Sequence, residues 1–211
     1  MRKPSFWSQT NILIMVNVLI FIAVFVTSFF NQQIINYFAL SPELVLQGKN
    51  MWTIFTSIFM HAGFFHLIVN MMSLFFLGNF LEMIIGGKRF IGIYLISGII
   101  GSLAYIYLTL LFGQNMAISA VGASGAIFGI AGVLAVLTPK MKVFIFPIPV
   151  AMPMWFGVAA IMALFWVLSA AFNIPIGNNA HLGGLIAGLT YAFYLKYKYK
   201  SKTRMIANLF H

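Results

Sequence analysis

Cysteine is absent from the 211 residues, aspartate is absent as well, and glutamate occurs twice, at positions 43 and 82. Without cysteine there is no disulfide, no thiolate nucleophile, no thiolate-bound metal and no clue to redox compartment. Without aspartate, neither a paired-aspartate protease nor a Ser-His-Asp triad can be built, and no HExxH zinc motif occurs. Any hydrolytic chemistry must therefore proceed without a carboxylate to orient its base. Charge of either sign is scarce: 7% of residues are Asp, Glu, Lys or Arg, against about 25% in a typical soluble domain. Hydrophobic residues make up 62%, and the mean hydropathy is +1.01. This composition excludes a soluble globule and a disordered chain, and leaves a polytopic membrane protein.

A spanning helix needs about 20 mostly apolar residues, because lipid offers no partner to exposed backbone groups. Apolar runs place spans at about 12–30, 64–85, 90–112, 118–137, 150–172 and 180–195. The first run is too long for a signal peptide and lacks a small-residue cleavage site, so it is read as retained. Between the first two spans lies an unusually long, moderately polar outer loop, 31–63, and after the sixth a basic tail, 196–211. The expected fold class is an all-α membrane protein of six helices forming one domain over 1–211, with no additional soluble domain.

Twelve Lys and Arg against two acids give a net charge of +10. In a soluble protein that excess would suggest nucleic acid, but here its placement reads as topology. Arg2 and Lys3, Lys88 and Arg89, Lys140 and Lys142, and Lys196, Lys198, Lys200, Lys202 and Arg204 all fall on one side of the six spans, with Lys49 alone opposite. The positive-inside rule then makes both termini cytoplasmic. Tyr191, Tyr194, Tyr197 and Tyr199 suit an interfacial aromatic belt, with the tail meeting anionic lipid headgroups. No nucleic-acid partner is expected.

Polar groups at the outer ends of spans are candidates for function, since an unpaired one is costly in lipid. His61, His66 and Asn70 open the second span; His66 and Asn70 are four apart and share a helix face. Such a pair could also be a simple interhelical clamp. Ser124, set between Gly122 and Gly125 at the start of the fourth span, is the one serine in a Gly-x-Ser-Gly context. A helix N-terminus there favours a developing negative charge, although Gly125, Gly129 and Gly132 could equally be a packing stripe carrying an incidental serine. His181, Gly184 and Gly188 open the sixth span on one face. If the two glycine stripes pack together, His181 arrives beside Ser124. A nucleophile, a base and two further donors then share one side of the membrane, which is the composition of a hydrolytic site.

In these residues the chain resembles the rhomboid family of intramembrane serine proteases over nearly its whole length. The resemblance rests on His-x4-His-x3-Asn (His61, His66, Asn70), Gly-x-Ser-Gly (Gly122 to Gly125), Ala-His-x2-Gly-x3-Gly (Ala180, His181, Gly184, Gly188) and the segment containing Glu82, Gly86, Arg89 and Phe90. It implies a rhomboid-type six-helix bundle and a catalytic dyad, with Ser124 as nucleophile and His181 as general base. The oxyanion would be held by the Ser124 N–H and the side chains of His66 and Asn70, with Gly122, Gly125, Phe128, His61, Gly184 and Gly188 in support. No metal or cofactor is implied. Two departures stand out. Phe128 occupies the place of a tyrosine that stacks on the histidine in relatives, and Trp52-Thr53 replaces Trp-Arg, a change expected to affect loop stability more than chemistry.

The resemblance further implies peptide-bond hydrolysis in single-span transmembrane proteins at or near the outer leaflet, with membrane lipids as the remaining partners. Lateral entry of substrate at the fifth helix is part of that picture; Pro147, Pro149 and Pro153 lie near its start, with Trp155 and Trp166 along it, and the prolines are as readily read as ending a loop. A prokaryotic plasma membrane is expected, since the N-terminus lacks transit-peptide character. From another class comes a catalytically silent relative that binds membrane helices for quality control or trafficking. A transporter is opposed by the absence of an inverted repeat or intramembrane acid, and a zinc site of His61, His66 and His181 by the absence of a fourth ligand.

Overall fold

The computed structural model describes residues 7–145 and 148–210; Arg2, Lys3 and Pro147, for which the sequence raised expectations, lie outside them. α1 (Gln9–Ser28) is followed by three short helices, α2 (Ile34–Phe38), α3 (Pro42–Leu46) and α4 (Thr53–Thr56). α5 (Phe64–Ser73) runs through a π-helical turn, Leu74–Gly78, into α6 (Asn79–Ile85). α7 (Gly87–Leu111) and α8 (Ser124–Leu137) precede a hairpin of β1 (Lys142–Ile145) and β2 (Ile148–Pro153), and the chain ends in α9 (Met154–Phe172), α10 (Asn178–Lys198) and α11 (Lys200–Asn208).

Four of these helices are long and apolar enough to cross a membrane: Gln9–Ser28, Phe64–Ile85, Gly87–Leu111 and Met154–Phe172. The expected fourth and sixth spans do not meet that measure, for different reasons. Helix begins at Ser124 rather than near 118, because residues before it are drawn into an extended bridge, Leu40 to Ala120, and because Gly122 has φ 130°. The resulting 14-residue α8 is about 21 Å long at 1.5 Å per residue. It has little contact with the exterior: eleven of its fourteen residues are buried. α10 has the length, 21 residues, but opens with Asn178, Asn179 and His181 and ends among tyrosines and lysines. The all-α expectation fails at 142–153, where an antiparallel hairpin precedes α9. Pro153 ends its second strand, so α9 starts at Met154 rather than at 150.

The centre of the molecule is α8, enclosed by α7 and α10. A methyl group on Gly184 or Gly188 would fall on the carbonyls of Gly125 and Gly129, so hydrogen is the largest group these positions admit. The same pairing sets the register: α8 and α10 run parallel, 125 beside 184 and 129 beside 188, while Gly101 of α7 meets Ala180 and Ser97 meets Gly129, making α7 antiparallel to both. Without a hydrophobic drive between helices in lipid, such backbone-close packing is what holds a bundle together.

α1 is moored through Glu82, whose Oε1 accepts from the Gln9 N–H (2.9 Å) and whose Oε2 accepts from the Thr10 N–H (2.9 Å) and hydroxyl (2.7 Å). The carboxylate thereby satisfies donors that the first helical turn leaves unpaired, and meets the positive end of the helix dipole.

Candidate active site

Ser124 is the first residue of α8, and His181 lies in the first turn of α10. Because the two helices run parallel with their glycines in contact, their N-terminal ends coincide, and the Ser124 Oγ is 2.7 Å from His181 Nε2. A serine hydroxyl donating to Nε2 puts the ring proton on Nδ1. That nitrogen is buried and has no hydrogen-bond partner among the described residues, so the ring is oriented by packing. Phe128, one turn after the serine, stacks on it with centroids 4.6 Å apart and planes 25° from parallel. Phe165 of α9 adds a tilted contact at 5.5 Å and touches Phe128 at 6.1 Å. The phenylalanine substitution therefore retains the stack; Phe165 was not foreseen, since nothing in its local sequence distinguishes it from other apolar residues of that helix.

His66, on the first turns of α5, lies against Gly122. A Cβ on that glycine would come within 2.8 Å of His66 Cε1, so the loop can reach the imidazole only without a side chain, and φ 130° at this position also favours glycine. His66 Nδ1 accepts from the Ala62 N–H (3.4 Å), leaving Nε2 protonated and available as a donor. Asn70 is buried one turn further on and donates one amide proton to the His66 carbonyl (2.8 Å), which leaves the second. His61 is buried against the edge of the His66 ring, centroids 5.3 Å apart. Burial and the facing imidazole push its pKa down to about 4, so it is neutral at physiological pH. Among the described residues no three of His, Cys, Asp and Glu are grouped so as to hold a metal ion, His61, His66 and His181 included.

The loop before Ser124 is held by groups that the sequence reading did not single out. Leu40 and Ala120 exchange backbone hydrogen bonds (3.0 and 2.8 Å), the Gly122 N–H donates to the Ser57 carbonyl (2.9 Å), and the Tyr105 hydroxyl donates to the Ile118 carbonyl (3.0 Å). At the start of α10, Asn179 donates to Gln114 Oε1 (2.9 Å) and to the Thr109 hydroxyl (3.4 Å) at the end of α7, which fixes the turn carrying His181. Thr53, the position of the missing arginine, is fully buried and bonds the Asn50 carbonyl at 2.7 Å.

A Rhomboid domain family model matches residues 48–198, a stretch that contains every group just described except Leu40. The chain belongs to the rhomboid family. It is 36% identical over 162 residues to RHOMBOID-like protein 1 of Arabidopsis thaliana, covering 74% of this chain and 37% of that protein. It is 32% identical over 190 residues to Rhomboid protease GluP of Bacillus subtilis (88% and 34%). It is 33% identical over 150 residues to Inactive RHOMBOID-like protein 8 of Arabidopsis thaliana (70% and 39%). This rhomboid thus spans less than two-fifths of the length of each of these relatives, and rhomboids similar to it include both a named protease and one named inactive.

Proposed function

We propose that this rhomboid is a serine endopeptidase that hydrolyses peptide bonds of single-span membrane proteins. The observation that carries the reading is the 2.7 Å contact between Ser124 Oγ and His181 Nε2 at the N-terminal end of α8. His181 takes the serine proton as Oγ attacks the scissile carbonyl carbon, and the carbonyl oxygen becomes an oxyanion. The Ser124 N–H, His66 Nε2–H and the free Asn70 amide proton donate to it, each donor worth about 3–4 kcal/mol in comparable sites. The imidazolium then protonates the leaving amine as the C–N bond breaks; water, deprotonated by the same ring, attacks the acyl carbon, and the ring returns that proton to Ser124 Oγ as the C–Oγ bond breaks. No carboxylate is needed if Phe128 and Phe165 hold the imidazole in place.

In this reading α8 and α10 complete six spans, the basic end with both termini is cytoplasmic, and the site opens to the outer side of a prokaryotic cell membrane. α9, the least enclosed of the four long helices with 11% of its apolar window buried, is the element that yields to admit a substrate helix.

Cleavage of a single-span reporter by the reconstituted protein, compared with Ser124→Ala and His181→Ala, tests the proposal. Loss in both variants with unchanged melting, and no effect of chelators, is the expected outcome. The relative named inactive supplies a second reading, a silent protein that binds membrane helices. A folded wild type that neither cleaves nor reacts at Ser124 with a fluorophosphonate would overturn the protease reading in favour of the silent one.

A further inference from the structure

At the end of the bundle opposite Ser124, Arg89 of α7 and Lys198 of α10 converge on a cluster of tyrosines. Arg89 donates to the Tyr199 hydroxyl (2.9 Å), its guanidinium 5.0 Å from that ring's centroid. Lys198 donates to the Tyr194 hydroxyl (2.8 Å), its ammonium 5.4 Å and 5.8 Å from the Tyr194 and Tyr199 rings. Each phenol accepts from a cation, so its own proton is left to donate, as are the remaining N–H groups of both cations. The cluster is thus rich in donors, and the chain has no anion to match it: Glu82 is engaged by α1, and Glu43 is exposed in α3 of the outer loop. A ligand that complements it presents oxygen acceptors and negative charge, as a phosphate does.

A second observation concerns what surrounds the cluster. Ile186, Phe193 and Tyr197 are 53%, 59% and 88% exposed, and their i, i+7, i+11 spacing lines them up along one strip of α10 that ends at the level of Lys198, whose side chain starts about a third of a turn away. A free phosphate makes no use of such a strip, whereas an acyl chain does. We propose that Arg89, Tyr194, Lys198 and Tyr199 hold the phosphate of an anionic phospholipid whose acyl chain lies along Ile186, Phe193 and Tyr197. Lipid-anchored charge of this kind also fixes the depth of α7 and α10 in the membrane, through groups remote from the Ser124 site.

The test uses the full chain, delipidated in neutral detergent, with the unfolding midpoint followed on adding dioleoyl phosphatidylglycerol, dioleoyl phosphatidylcholine or inorganic phosphate. Phosphatidylglycerol alone is expected to raise the midpoint. Arg89→Gln and Lys198→Gln are each expected to weaken its apparent affinity about fivefold or more, while Lys142→Gln, on the hairpin, leaves it unchanged. Should Arg89→Gln fail to fold, the exposed Lys198 decides the matter by itself, and wild-type affinity in Lys198→Gln overturns the site. Equal loss in Lys142→Gln overturns it in favour of diffuse charge. An equal shift with phosphatidylcholine or with inorganic phosphate overturns the assignment of an anionic lipid.

Discussion

Replacing Phe128 by leucine removes the ring that stacks on His181 while keeping most of the buried volume. The His181 Nδ1 has no hydrogen-bond partner among the described residues, so two contacts restrain the imidazole besides the serine: Phe128 at 4.6 Å and Phe165 at 5.5 Å. A stacked aromatic pair is worth about 0.5–1.5 kcal/mol beyond the area it buries. If that energy holds the ring in its reactive orientation, losing it lowers kcat by about two- to twelvefold, with KM little changed because the ring does not bind substrate. The volume-conserving swap itself costs under about 1.5 kcal/mol of stability, so the protein remains folded. Phe128→Tyr keeps the ring and is expected to hold kcat within about twofold of wild type. Steady-state cleavage of a fluorogenic single-span substrate in detergent, with melting curves on the same samples, measures both effects. Full turnover in folded Phe128→Leu would refute the idea that stacking orients the base.

Three further outcomes follow from the packing. Glu82→Gln keeps one acceptor for the two Thr10 donors and sets an amide against the Gln9 N–H, so about 2–4 kcal/mol should be lost from the charged hydrogen bonds and the helix-dipole contact; chemical denaturation in micelles measures it, and a change below about 0.5 kcal/mol would show that α1 is held by other means. Gly184→Ala drives a methyl group into the Gly125 carbonyl and should separate α8 from α10, abolishing cleavage together with a loss of more than about 3 kcal/mol; a folded, active variant would contradict the register. Thr53→Arg forces a cation into a fully buried site and should destabilise the outer loop by about 3 kcal/mol, with activity falling only as the folded fraction falls. A folded Thr53→Arg protein with strongly altered kcat would show that this loop reaches the chemistry.

Much of the candidate site was legible because its signals are local. Ser124 and His181 stand out as polar groups in apolar segments, and the glycines that follow each at helical spacing announce the face on which they pack. The depth of Phe165 in the site was illegible, since an apolar residue in an apolar helix carries no mark of what it touches. The same holds for Asn179, whose role depends on Gln114 and Thr109 at the far end of another helix.

The sequence by itself determined the membrane class, the concentration of cations at one end, and the presence of a glycine stripe behind a serine and another behind a histidine, because apolar run length, charge placement and helical period are properties of short segments. Only the tertiary structure decided that α8 is cut to 14 residues, that a hairpin interrupts 142–153, that Leu40 and Ser57 hold the loop before the serine, and that Glu82 moors α1. Apart from the local hairpin, each of these rests on hydrogen bonds between groups distant in sequence, chosen by where backbone donors and acceptors remain unpaired once the helices have packed.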